Sequence, residues 1–82
     1  MGNEKIVKID VRVIPLSERH PRKIFDIWDG LNAGETLQII NDHDPKPLYY
    51  QFEIDYKGCY KWEYIAQGPK DWVINITKTR AK

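Results

Sequence analysis

An α+β two-layer sandwich with the element order β-α-β-α-β-β is the fold class that this sequence predicts. Four segments alternate apolar with polar residues, as strands with one buried face do. Two further segments repeat apolar residues at the spacing of a helix, and the length of 82 residues suits one domain. We therefore expect a single domain over residues 5–78, with flexible ends at 1–4 and 79–82. Its mixed four-stranded sheet should carry both helices on one face.

The first strand is predicted from Val7 to Val13, where aliphatic residues alternate with charged ones. Pro15 ends it. Pro21 is typical of a first helical position, because its missing N–H would have no partner there, and Ser17 or His20 is then the cap. The apolar stripe expected on this helix consists of Ile24, Phe25, Trp28 and Leu31.

A second strand is predicted from Thr36 to Ile40, and it runs into the polar stretch Asn41 to Leu48. Asp44 is a good N-cap and Pro45 a good first residue for the second helix. Gly58 stands where that helix should end.

The third and fourth strands are predicted around two aromatic and aliphatic alternations, joined by a turn at residues 67–70. Their inward side chains should be Tyr60, Trp62 and Tyr64 on the third strand, and Trp72, Ile74 and Ile76 on the fourth. With right-handed crossovers, the first three strands run parallel and the fourth returns antiparallel.

That arrangement brings several polar residues to one end of the sheet. The residues expected there are His20, Asp42, His43, Asp44 and the Gly68-Pro69 turn. Both helices begin at this end, and their free N–H groups and positive dipole ends favour an anion or a carboxylate-bearing ligand.

Composition limits the function classes. Thirteen basic against twelve acidic residues give a net charge of +1, which argues against binding to nucleic acid. The single cysteine, Cys59, excludes an internal disulfide and a metal site built from cysteines, and it indicates a reducing compartment. No apolar stretch reaches membrane-spanning length and no secretory signal opens the chain, so we expect a cytoplasmic protein.

The run ERHPRKIFDIWDG, the stretch NDHDPKPL and the segment WEYIAQGPKDWVINI resemble a bacterial family known as domain of unknown function 2249. The resemblance covers roughly residues 9–77. It implies the fold of the TusA/SirA sulfur carriers and occurrence beside, or fused to, hemerythrin-like and other redox proteins.

The sulfur carriers place Cys-Pro-x-Pro at the start of their first helix, where this sequence has His20 before Pro21. Cys59 is predicted at the opposite end of the sheet, so it cannot replace the missing thiol. The resemblance therefore argues against persulfide transfer.

We interpret the chain as a binding or accessory module in a redox or respiratory setting, with a hemerythrin-like protein as a candidate partner. The candidate ligand-binding residues are Arg19, His20, Asp42, His43, Asp44, Lys46, Gly68 and Pro69. Histidine and carboxylate donors suit a divalent metal, and His20, His43 and Asp42 are the candidate ligands for iron, zinc or manganese.

Three other interpretations stay open. The chain can instead be a protein-interaction domain that docks on a larger oxidoreductase, or a small enzyme with a histidine base. In the plainest interpretation, Asp44 only caps a helix, Asp42 forms a turn and His43 is an exposed loop residue.

Overall fold

A mixed sheet with the spatial order β1-β2-β4-β3 forms one layer of the protein. The structure is a computed structural model, and it describes residues 5–15 and 21–80. The strands are β1 Ile6–Asp10, β2 Thr36–Asn41, β3 Tyr60–Gln67 and β4 Trp72–Lys78. The helices of the second layer are α1 Pro21–Asp29 and α2 Lys46–Asp55.

The strand directions follow the predicted pattern. β1 pairs with β2 in parallel, and β4 is antiparallel to both β2 and β3. The first three strands therefore run the same way, and β4 lies between β2 and β3. This confirms the α+β class with a mixed four-stranded sheet and two helices. None of the described residues belongs to a helix that is both long and apolar enough to cross a membrane.

The core lies between the helices and one face of the sheet. Its largest fully buried side chains are Trp28, Leu37, Ile39, Phe52, Ile74 and Ile76. The rings of Trp28 on α1 and Phe52 on α2 meet edge to face with centroids 5.0 Å apart. The aromatic row of β3, which consists of Tyr60, Trp62 and Tyr64, packs against the helix layer. The ring centroids of Trp62 and of Tyr49 on α2 lie 5.1 Å apart. This row is therefore part of the core, as predicted.

The first strand ends earlier than predicted. β1 stops at Asp10, and Val11–Val13 form one turn of 3-10 helix. The carboxylate of Asp10 accepts a hydrogen bond of 3.1 Å from the backbone N–H of Arg12, which caps this turn. Val13 is consequently 75% exposed rather than inward. The alternation was thus right about the burial of Val11, but it was wrong about Val13 and about the strand conformation of residues 11–13.

Candidate functional site

The predicted gathering of polar segments at one end of the sheet is present among the described residues. Asn41, the last residue of β2, pairs with Trp72, the first residue of β4. Trp72 also pairs with Gln67, the last residue of β3. The stretch that follows β2 and the turn between β3 and β4 therefore lie at the same end, next to the end of β1.

Asp42 and His43 form a hydrogen-bonded pair directly after β2. Nδ1 of His43 lies 2.7 Å from Oδ1 of Asp42. The side chain of His43 is 64% exposed and that of Asp42 is 46% exposed. A carboxylate on Nδ1 fixes the tautomer of an imidazole and leaves Nε2 as the other ligand atom. The imidazole of His43 is thus both oriented and accessible to solvent.

Asn41 positions the first member of this pair. Its side chain is buried on the inner face, and its Oδ1 accepts a hydrogen bond of 2.9 Å from the backbone N–H of Asp42. Asn41 opens the polar stretch of the sequence, but it was not among the predicted site residues. The period of two places it on the same face as Leu37 and Ile39, so a polar residue at an inward position was the available signal.

Asp44 has a different role from the predicted one. Helix α2 begins at Lys46, one residue later than expected, and its N-cap is Pro45, which makes no side-chain capping bond. The carboxylate of Asp44 instead accepts a hydrogen bond of 2.9 Å from the hydroxyl of Tyr64 on β3. Burial and this hydrogen bond raise the pKa of the Tyr64 hydroxyl. The prediction that Asp44 caps the helix is wrong, and the residue ties the loop to the sheet.

The start of α2 offers few donors to an anion. Pro45 and Pro47 have no N–H, and the N–H of Lys46 donates to the Asp44 carbonyl at 2.8 Å. The N–H of Tyr49 donates to the Pro45 carbonyl at 3.1 Å. The side chain of Lys46 is exposed to solvent. The donor-rich helix start that favours anions is therefore largely occupied in α2.

Gly68 and Pro69 form a tight turn at the same end. Gly68 has a φ of +70°, and its N–H donates to the Asp71 carbonyl at 2.9 Å. A Cβ at position 68 would lie 2.8 Å from Cε2 of Trp72, so the indole ring occupies that space. Pro69 is exposed. These contacts account for Gly68 by backbone conformation and packing, without a ligand.

Arg12, which is bound by two carboxylates, borders the site. Nε and Nη2 of Arg12 donate to the two carboxylate oxygens of Asp10 at 2.8 and 2.7 Å, and Nη1 donates to Asp71 at 3.0 Å. The hydrogen bond from Arg12 lowers the pKa of the Asp10 carboxyl, and the hydrogen bonds to Asp10 and Asp71 raise the pKa of the guanidinium. Two carboxylates thus bind Arg12, and the arginine links the end of β1 to the turn before β4.

Arg19 and His20 lie outside the described residues. The structure therefore gives no distance between the imidazoles of His20 and His43. Helix α1 is oriented as expected, because the carbonyls of Trp28 in its last turn and of Leu31 just beyond it accept hydrogen bonds from Lys78 at the opposite end of the sheet. The amino-terminal end of α1 therefore lies toward the Asp42–His43 end. Within residues 5–15 and 21–80, no three histidine, cysteine or acidic side chains gather closely enough to hold a metal ion.

A comparison with protein families gives a match over residues 8–78 to the family described as "Uncharacterized conserved protein (DUF2249)". The chain belongs to this family. The match includes the Asp42–His43 pair, both helices and all of β2, β3 and β4. No curated protein and no solved structure matches the chain. DUF2249 membership is thus established, while the likeness to the TusA and SirA sulfur carriers stays a prediction.

Proposed function

We propose that this DUF2249 domain is a binding module without catalysis of its own, and that its Asp42–His43 pair binds a divalent metal ion. The observation that carries the proposal is the 2.7 Å contact between Nδ1 of His43 and Asp42, both of them well exposed. An exposed pair of this kind adds little to folding stability. It is, however, the arrangement that carboxylates adopt behind histidines that ligate metals.

The imidazole of His43 does not complete a metal site by itself, since Asp42 stands behind it on Nδ1 and zinc takes four ligands and iron or manganese more. The proposal assigns a further imidazole to His20, which precedes the first residue of α1. Asp44 is not assigned as a ligand, because its carboxylate already accepts a hydrogen bond from the hydroxyl of Tyr64. A cation also suits this end better than an anion, because two prolines and two internal hydrogen bonds occupy the start of α2.

The test is a titration of Zn(II), Mn(II) and anaerobic Fe(II) into the full chain, followed through the imidazole nitrogen resonances of both histidines by NMR. We expect one of these ions to shift Nε2 of His43 and one nitrogen of His20 together at a stoichiometry of one ion per chain. His43→Ala should abolish binding, and Asp42→Asn should weaken it about 10- to 100-fold. Asp26→Asn, an exposed carboxylate on α1, is the matched control and should bind normally.

Unchanged resonances of both histidines with all three ions would remove the metal proposal. A shift of His43 alone, unaffected by His20→Ala, would reduce it to a single surface histidine.

A second candidate function is docking on a larger oxidoreductase or on another redox protein, such as a hemerythrin-like protein. It is favoured by two apolar side chains on the outer side of α2, Tyr50 at 59% and Ile54 at 74% exposure. Four residues apart, they share one face of the helix. Under this alternative, Tyr50→Lys with Ile54→Lys abolishes binding to the purified partner, while His43→Ala leaves it unchanged.

A further inference from the structure

The face of the sheet opposite the helices carries its side chains in rows across the four strands. The first row is Ile6, Thr36, Thr77 and Lys61; the second is Lys8, Gln38, Asn75 and Glu63; the third begins with Asp10, Ile40 and Val73. All of these side chains are exposed or half-buried, and the exposed Ile65 lies beside the β-bulge of β3. Both described helices pack on the other face.

The polar groups in the middle of this face are already paired within the chain. The hydroxyls of Thr36 and Thr77 lie 3.0 Å apart. The side-chain amide of Gln38 donates to Oδ1 of Asn75 at 2.8 Å. Hydrogen-bonded polar groups cost less to bury than unpaired ones. The centre of the face is therefore suited to being covered.

The charges at the edges of the second row are self-complementary. Lys8 on β1 and Glu63 on β3 stand at opposite ends of this row, about three strand spacings or 14 Å apart, too far to pair within one chain. Glu63 lies 3.8 Å from Lys61, an exposed pair that adds little stability. A two-fold axis parallel to the strands, between β2 and β4, would bring Lys8 of each copy opposite Glu63 of the other.

The same axis opposes Gln38 to Asn75 of the other copy, and Ile40 to Val73. Stacked sheets lie about 10 Å apart, a gap that lysine and glutamate side chains can span from both sides. Because the cations and anions of this face balance, it offers no net field to a strongly charged partner.

We infer that a second copy of this chain covers the face, in a two-fold dimer held in register by two Lys8–Glu63 pairs. Four strands and three rows give about 400 Å² of flat sheet per copy. This is below the ~800 Å² per partner of standard stable complexes, so the dimer should be weak, with a dissociation constant in the micromolar range or above.

Sedimentation of the full chain from about 20 µM to 2 mM at low salt tests the inference. The wild type should shift from monomer toward dimer. Lys8→Glu and Glu63→Lys each place two like-charge contacts in the interface and should weaken association about tenfold or more. Mixing the two variants restores two attractive pairs, so the mixture should dimerise about as well as the wild type. Lys57→Glu, an exposed control beyond α2, should change nothing.

The mixing step also shows that both variants are folded, because a misfolded chain could not restore the dimer. A wild type that stays monomeric at the highest concentration would overturn the inference. The face would then be exposed to solvent or covered by a different partner. The inference would also be overturned if both charge-reversal variants dimerised as well as the wild type. It would equally be overturned if the two variants failed to associate when mixed.

Discussion

The ammonium group of Lys78 lies 5.3 Å from the ring centroid of Trp28 and donates a 2.9 Å hydrogen bond to the Trp28 carbonyl. A second hydrogen bond of 2.9 Å goes to the carbonyl of Leu31. Lys78 is only 4% exposed, and it follows Ile74 and Ile76 on the inner face of β4. A cation thus lies at the carboxyl-terminal end of α1, where the helix dipole is negative, and adds a donor to the Trp28 carbonyl, which also accepts the N–H of Leu31.

Lys78→Met should therefore destabilise the fold although it keeps the length and the apolar stem of the side chain. The carbonyls of Trp28 and Leu31 would lose charged donors in a buried place, which predicts a loss of about 2 to 4 kcal/mol in the free energy of unfolding. Urea denaturation followed by tryptophan fluorescence measures it. Lys70→Met, at an exposed turn position, is the control and should stay within about 0.5 kcal/mol of the wild type. Equal stability of the two variants would show that the buried ammonium contributes nothing.

Gly68→Ala should cost more than the same change at Gly58. Both glycines have positive φ, +70° and +81°, so alanine is strained at either position by about 1 kcal/mol. Only at Gly68 would the new Cβ meet Trp72, at 2.8 Å, which predicts about 2 kcal/mol more. Urea midpoints give the difference, and near-ultraviolet circular dichroism shows whether the indole has moved. Equal losses at both positions would mean that the ring yields freely.

The strands and helices could be predicted because their burial follows a short period in the chain. The alternation of β4 places Ile74 and Ile76 inward without any knowledge of the neighbouring strands. The same rule placed Val13 inward and was wrong there, because a local hydrogen bond between Asp10 and Arg12 turns the backbone. Lys78 was expected near a frayed end, although its register position marked it as an inward residue.

The candidate site was predictable only in part. The position of Asp42 and His43 after β2 follows from the strand order, and their contact joins adjacent residues. The partner of Asp44 could not be predicted, because Tyr64 is twenty residues away and the contact depends on how α2 packs against β3. Among the described residues, three tyrosine hydroxyls donate a hydrogen bond to a carboxylate that lies at least seven residues away in the sequence. The pairs are Tyr56 with Asp29, Tyr60 with Glu53, and Tyr64 with Asp44.

Tyr56 should make the protein sensitive to alkaline pH. Burial, and then the hydrogen bond to Asp29, raise the pKa of Tyr56 to about 12, above the value of about 10 for an unfolded tyrosine. Its contribution is therefore fully present below about pH 10 and is lost as the pH rises through about 12.

Tyr56→Phe should accordingly be less stable than the wild type at neutral pH, and the gap should narrow between about pH 10 and 12. Urea midpoints across this range test the prediction, and absorbance at the tyrosinate band in the same samples reports the ionisation. Because Tyr60 and Tyr64 are present in both proteins, their own raised pKa values cancel in the comparison. A gap that stays constant through about pH 12 would contradict the assignment to Tyr56.

Tyr64 and Asp44 should behave as a coupled structural pair rather than as part of the metal site. Tyr64→Phe and Asp44→Ala each remove the same 2.9 Å hydrogen bond, so each should destabilise the fold by about 1 kcal/mol or more. Since one bond is lost in both, the double variant should be less destabilised than the sum of the two by about 1 kcal/mol. Repeating the metal titration on both single variants separates the roles. If Asp44 only anchors the loop, the two variants change the affinity equally; if it ligates the ion, Asp44→Ala alone weakens binding.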